Sequence, residues 1–127
     1  MDLKNISSVY FFGALGGSCR YYLGLKFPGI STTLLINLVG CFALSFLTYY
    51  VIEQGLLSGW LNLGLGTGFI GAFTTFSSFC NDFDQSLIDR HFVSGSLYLV
   101  ISIIGGYLMA LTAFNLAKKL AKRKERS

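Results

Sequence analysis

Charge is absent from long stretches of this chain, and that absence constrains the fold more than any other feature. No charged side chain lies between Lys26 and Glu53, or between Glu53 and Asp82, and only His91 interrupts the stretch from Arg90 to Lys118. About 20 helical residues cross the hydrocarbon of a bilayer, so an apolar run of 18 or more reads as a membrane span. Three spans follow directly. A fourth is expected near the N-terminus, interrupted by Arg20; Asp2 beside Lys4 and the lack of a small-x-small cleavage site argue against a cleavable signal peptide. The expected architecture is all-α and integral to the membrane. It has one domain of four helices, about 5–25, 31–52, 60–80 and 92–117, with a basic tail over 118–127. Pro28 and Gly29 close the first helix, and a link over about 81–91 holds Asp82, Asp84, Asp89 and Arg90.

Composition narrows the chemistry. Only 13% of the 127 residues are charged, with six acids and one His, against about 25% charged in an average soluble domain. No nucleophile–base pair or ligand cluster emerges, so an enzyme is not expected, nor a nucleic-acid partner. Cys19, Cys41 and Cys80 are odd in number and form no C-x-x-C, and are expected as small buried hydrophobes. Trp60, Tyr49 and Tyr50 fall near span ends, where aromatic rings favour the headgroup zone.

Residues 66–79, GTGFIGAFTTFSSF, raise a sharper question. Gly66-Thr67-Gly68-Phe69-Ile70-Gly71-Ala72 fits the G-x-G-x-x-G/A turn of dinucleotide-binding folds, with Asp89 roughly where a ribose-binding acid stands. That turn needs a parallel sheet around it, and four spans leave no room for one. A P-loop fails because no Gly-Lys-Ser/Thr follows. Helix packing explains the glycines. The run of Thr74, Thr75, Ser77 and Ser78 between Phe73, Phe76 and Phe79 points instead to a helix break. Non-helical backbone at membrane depth survives only where protein covers it or where it lines a watery cavity, and free carbonyls at a break suit a hard cation.

Two stripes at helical spacing add polar atoms: Thr33, Asn37, Gly40, Cys41 and Thr48 in the second span, and Tyr98, Ser102, Gly105, Gly106 and Thr112 in the fourth. Each stripe alone reads as packing glue; together with the break they suggest a polar track. The track is expected to contain no carboxylate. Arg20, close to a span end, can snorkel or draw anions inward. Amide and hydroxyl donors beside ring edges, which carry positive potential, suit a small anion.

These residues resemble the Fluc (CrcB) family of small bacterial fluoride channels. The resemblance rests on Gly13-Ala14-Leu15-Gly16-Gly17-Ser18-Cys19-Arg20-Tyr21, on Asn37-Leu38-Val39-Gly40, and above all on Gly68-Phe69-Ile70-Gly71-Ala72-Phe73-Thr74-Thr75-Phe76-Ser77-Ser78-Phe79. It implies an inverted dimer of four-helix subunits in a bacterial cell membrane, with two fluoride pathways. Asn37, Phe76, Phe79, Tyr98 and Ser102 match the family's pore positions, with Thr75 beside them and Arg20 at a vestibule. The Gly71 and Thr74 carbonyls match the ligands of a central structural sodium ion. Ala72 departs from the Gly of many members, with no loss of function expected. Fluoride export would be passive.

Two other classes compete. A small dual-topology multidrug-type transporter shares the size and span count but needs an embedded acid in residues 5–25, which is absent. A non-transporting assembly subunit has little use for Asn37, Tyr98 and the Phe pair together. Partner choice stays open. The termini share one side, with Lys4, Lys118, Lys119, Lys122, Arg123, Lys124 and Arg126, and the other side has Lys26 and Arg90, with Arg20 toward it. That count favours termini inside and an oppositely oriented homologue as partner, whereas a complete pore set favours a self-paired inverted dimer.

Overall fold

A computed structural model describes residues 2–127, and every regular element among them is helical. Helix α1 is Leu3–Lys26. Helix α2 is Ile30–Phe46, carried on by a π-helical stretch Leu47–Ile52. Helix α3 starts as Gly59–Leu63, widens into π-helical Gly64–Ile70 and ends with Gly71–Phe73. Helix α4 is Phe76–Ile88 and α5 is Phe92–Glu125. Three segments are long and apolar enough to cross a membrane: Ile30–Ile52, Gly59–Ile88 and Phe92–Glu125. Helix α1 is comparable in length but carries Lys4, Arg20 and Lys26, and is not among the three.

The connections are local chemistry. Phe27 leaves the helical region (φ −129°, ψ 72°), as a residue preceding proline must; its carbonyl accepts the Thr32 hydroxyl, and Gly29 turns the chain at φ 128°. Helix α4 ends where the His91 N–H reaches the Ser86 carbonyl at 2.8 Å and Arg90 takes φ 60°, a closure usually given to glycine.

Two boundaries differ from the sequence reading. The expected link over 81–91 shrinks to Asp89, Arg90 and His91, because α4 continues to Ile88 and packs along α5, with Gly95 against the Ser86 side chain. The tail is helical too: α5 runs unbroken from the apolar segment to Glu125. Charge at Asp82, Asp84 and Lys118 marks where side chains change polarity, and the backbone continues its hydrogen bonding past that point.

Small residues set the packing. A Cβ on Gly16 would meet the Phe69 backbone, and one on Gly68 would lie 2.8 Å from the Val9 carbonyl oxygen, so α1 and α3 touch backbone to backbone. Helices α2 and α5 meet through Gly105 against Leu38 and Gly106 against Cys41, the Ser45 hydroxyl donates to the Ala110 carbonyl at 2.7 Å, and Ala113 and Ala117 are fully buried. Close approach of small residues with cross-helix hydroxyl bonds is how helices associate where lipid removes the hydrophobic drive between them. The outer faces carry Leu35, Ile103, Ile104 and Leu108, all exposed.

The polar stripes resolve largely into this packing. Thr48 and Thr112 bond the carbonyls of Leu44 and Leu108 on their own helices, and Gly40, Gly105 and Gly106 sit in helix contacts. The cysteines are free, but Cys19 is exposed on α1 rather than buried; Cys41 and Cys80 are half-buried.

Candidate functional site

The site is built around Thr74 and Thr75, which leave the helical region for extended backbone (ψ 157° and 113°) between α3 and α4. Asn37, from the middle of α2, closes on this point with both ends of its amide. Its Nδ2 donates to the Thr75 carbonyl at 2.9 Å, and its Oδ1 accepts the Thr75 N–H at 2.8 Å. Thr75, buried, caps α4 by accepting the Ser78 N–H on Oγ1 at 3.1 Å, and donates to the Ser78 hydroxyl at 3.0 Å. The Thr74 hydroxyl folds back onto the Ile70 carbonyl at 3.0 Å.

This arrangement frees two acceptors. In a continuous helix the Thr75 N–H would bond the Gly71 carbonyl and the Ser78 N–H would bond the Thr74 carbonyl. Here those donors go to Asn37 Oδ1 and Thr75 Oγ1. Gly71 and Thr74 border a hollow of about 300 Å³ on the outer face, with Asn37, Gly40, Cys41 and Phe76. Two hard oxygen donors lacking their helical partners suit a sodium ion in kind. Among the described residues, no group of three or more His, Cys, Asp or Glu is placed to hold a metal.

Beyond the break, three rings form a ladder. Phe76 and Phe79 have centroids 5.9 Å apart at 32°, and Phe79 and Tyr98 stand 5.2 Å apart at 40°. Phe76 points outward at 77% exposure whereas Tyr98 is 5% exposed. One turn along α5 from Tyr98, Ser102 holds a buried Oγ without a hydrogen-bond partner, an unsatisfied group shared among the described side chains only with Asn62 Oδ1.

Arg20 lies apart from the rings, on a polar hollow of about 730 Å³ shared with Thr33, Thr75, Ser77, Ser78 and Asp82. Thr75 borders both this hollow and the smaller one. The sequence-derived residues therefore gather in three groups: Asn37 and Thr75 with Gly71 and Thr74 at the break, Phe76, Phe79, Tyr98 and Ser102 along α4 and α5, and Arg20 at the larger hollow.

Asp82 was missed. The Tyr98 hydroxyl contacts Asp82 Oδ2 at 3.4 Å, so the expectation of a track without a carboxylate is wrong. The signal lay in the spacing: Phe76, Phe79 and Asp82 recur every three residues on one helix face, but the charge placed Asp82 in a link.

An all-helical chain with three membrane-capable segments and a polar, aromatic-lined interruption defines a multi-pass membrane protein. A family profile described as "CrcB-like protein, Camphor Resistance (CrcB)" matches residues 7–114, and the chain belongs to that family. It is 49% identical over 122 residues to "Fluoride-specific ion channel FluC 2" of Ligilactobacillus salivarius, covering 96% of this chain and 92% of that one. It is 44% identical to "Fluoride-specific ion channel FluC 2" of Listeria innocua (88% and 89% covered) and to "Fluoride-specific ion channel FluC 1" of Lactobacillus delbrueckii subsp. bulgaricus (85% and 84%).

Removing the Asn37 amide leaves two backbone groups of Thr75 unpaired, each costing about 1–3 kcal/mol when buried. Asn37→Ala should therefore lower stability by roughly 2–6 kcal/mol, read as the midpoint of unfolding of the purified protein. Unchanged unfolding would mean that the break holds without Asn37.

Proposed function

We infer that this chain is a subunit of a fluoride-specific ion channel. The observation that carries the reading is the ladder Phe76–Phe79–Tyr98 beside an interrupted helix, with an unpartnered Ser102 hydroxyl one turn along α5 from Tyr98, in a chain whose relatives bear that name over nearly their whole length. Fluoride holds its water tightly, and moving a small ion into low dielectric costs tens of kcal/mol by Born reasoning unless fixed donors replace hydration. Arg20 and the hydroxyls of the larger hollow gather the anion, ring edges of Phe76 and Phe79 face it with positive potential, Tyr98, its hydroxyl turned to Asp82, lines the path with its ring, and the Ser102 hydroxyl replaces water. Asn37 has one N–H left after bonding Thr75, and it serves from the smaller hollow. Export is passive, driven by the fluoride gradient. Phe76→Ile or Phe79→Ile keeps bulk and removes the polarised ring. Each should slow fluoride release from liposomes, followed with a fluoride-selective electrode, by about tenfold or more, equivalent to about 1.4 kcal/mol on the barrier, while assembly persists. Wild-type release from both variants would remove the rings from the pathway.

The assembly we propose is an inverted dimer of four-span subunits, with α1 as the remaining span and the break at mid-membrane depth. The outward face of Phe76 and the adjoining small hollow support it, because each is left to a partner. Sodium, bound at the axis by the Gly71 and Thr74 carbonyls of both subunits, would supply positive charge that holds the two breaks together. Backbone ligands survive a side-chain change, so Thr74→Ser should keep the dimer in sodium. Exchange of sodium for a bulky organic cation should weaken the dimer on size-exclusion chromatography, and an indifferent dimer would count against the ion.

Self-pairing and pairing with an oppositely oriented homologue differ in where the tail lies. A Ser127→Cys chain with its three native cysteines changed to Ala separates them by labelling intact cells with a membrane-impermeant maleimide. Self-pairing gives a labelled and an unlabelled population. A tail never labelled from outside gives a fixed orientation and a second subunit.

A further inference from the structure

We propose that the last turns of α5 form a binding face for the headgroups of anionic phospholipids. The helix is 34 residues long, about 51 Å at 1.5 Å per residue, whereas the hydrocarbon core is about 30 Å thick. The stretch from Phe92 to Ala117 alone supplies about 39 Å, so Lys118 onward emerges from the apolar layer.

The level of emergence is marked by contacts. Tyr49 meets Phe114 edge-on at 4.7 Å, and Lys118 Nζ stands 5.1 Å from the Phe114 ring centroid. Lys4, at the same end of the bundle, lies over Trp60 at 4.8 Å. Tyr and Trp with cations folded onto rings are the composition of a headgroup belt.

Direction is the decisive point. At 100° per residue, Lys118, Lys119, Lys122, Arg123 and Arg126 fall within an arc of about 140°. The fully buried Ala113 and Ala117, which turn α5 toward the bundle, project on roughly the opposite side, followed there by Leu120 and Ala121. The five cations therefore face away from the protein into the headgroup layer, exposed in every case. Only Lys124 lies with the apolar side, and Glu125, the single acid of the segment, falls outside the arc. A one-sided basic face directly beyond a span is the arrangement that attracts anionic lipid. The opposite end offers no counterpart, since Arg20, Lys26 and Arg90 there are matched by Asp82, Asp84 and Asp89, whereas the tail's end sets seven cations against Asp2, Glu53 and Glu125.

The inference needs only membrane insertion, and its readout is independent of fluoride flux. Purified protein is mixed with equal phosphatidylglycerol and phosphatidylcholine in detergent, and retained lipids are counted by native mass spectrometry. Phosphatidylglycerol should be retained roughly tenfold over phosphatidylcholine, and less so at high salt. The variant K118Q/K119Q/K122Q/R123Q/R126Q should lose the preference, while K26Q/R90Q keeps it. Equal retention of both lipids by the unaltered protein overturns the proposal, as does a preference unchanged by the five substitutions. Tail-dependent retention of an oligoribonucleotide in place of lipid overturns it as well.

Discussion

The two-point bond between Asn37 and the backbone of Thr75 is the contact on which the rest of the site depends. A break in a helix inside the membrane exposes peptide groups that lipid cannot satisfy, each costing several kcal/mol. One amide side chain answers both groups of the residue at the break, donating to its carbonyl and accepting its N–H. With Thr75 fixed, its hydroxyl caps α4, and the first turn of α4 sets Phe76 and Phe79 in place. The same substitutions of partner strip the Gly71 and Thr74 carbonyls of their helical donors. Two carbonyls without helical donors and an aromatic ladder beside them thus follow from a single redirected set of hydrogen bonds.

That redirection requires the chain to arrive at Thr74 in the correct rotation, and α3 provides it. Its first turns are α-helical, then the Gly64–Ile70 stretch is π-helical, with the Gly71 N–H bonding the Gly66 carbonyl five residues back. Such stretches are rare and add a residue to the turn. Glycine lets this stretch lie against α1: at Gly64 and Gly68 any Cβ would collide with Phe12, Ser8 or the Val9 carbonyl. Gly40 leaves room for the Thr74 methyl in the same way. Within the G-x-G-x-x-G pattern it is Gly68 that close packing against α1 requires, so the pattern needs no phosphate to explain it.

Much of this was legible in the sequence. Charge-free runs marked the three membrane-capable segments, since an uncharged apolar stretch of that length has few other uses. The motif from Gly68 to Phe79 carried the family. What escaped notice was whatever depends on backbone continuity or on which atom a polar group meets. The ends of α4 and α5 lie beyond the points that charge marks, because Asp82 and Lys118 change polarity without ending a helix. Spacing alone puts Thr48 and Thr112 on polar stripes, yet a threonine hydroxyl in a helix readily bonds the carbonyl four residues back, and both do. The family resemblance marks Asn37 as a pore position, while its grip on Thr75 depends on a contact 38 residues away in the chain. The π-helical turns of α3 leave no signature in residue spacing.

A locked break with rings and lone donors at fixed positions should favour the anion that gains most from replaced hydration and fits a narrow path. Efflux of fluoride and of chloride, measured from identical liposomes carrying the purified protein with valinomycin present to balance charge, tests this most directly. Fluoride should leave rapidly, while chloride leaves no faster than from protein-free vesicles. Comparable release of both ions, or of neither, would contradict a fluoride-selective path built on the Asn37–Thr75 break.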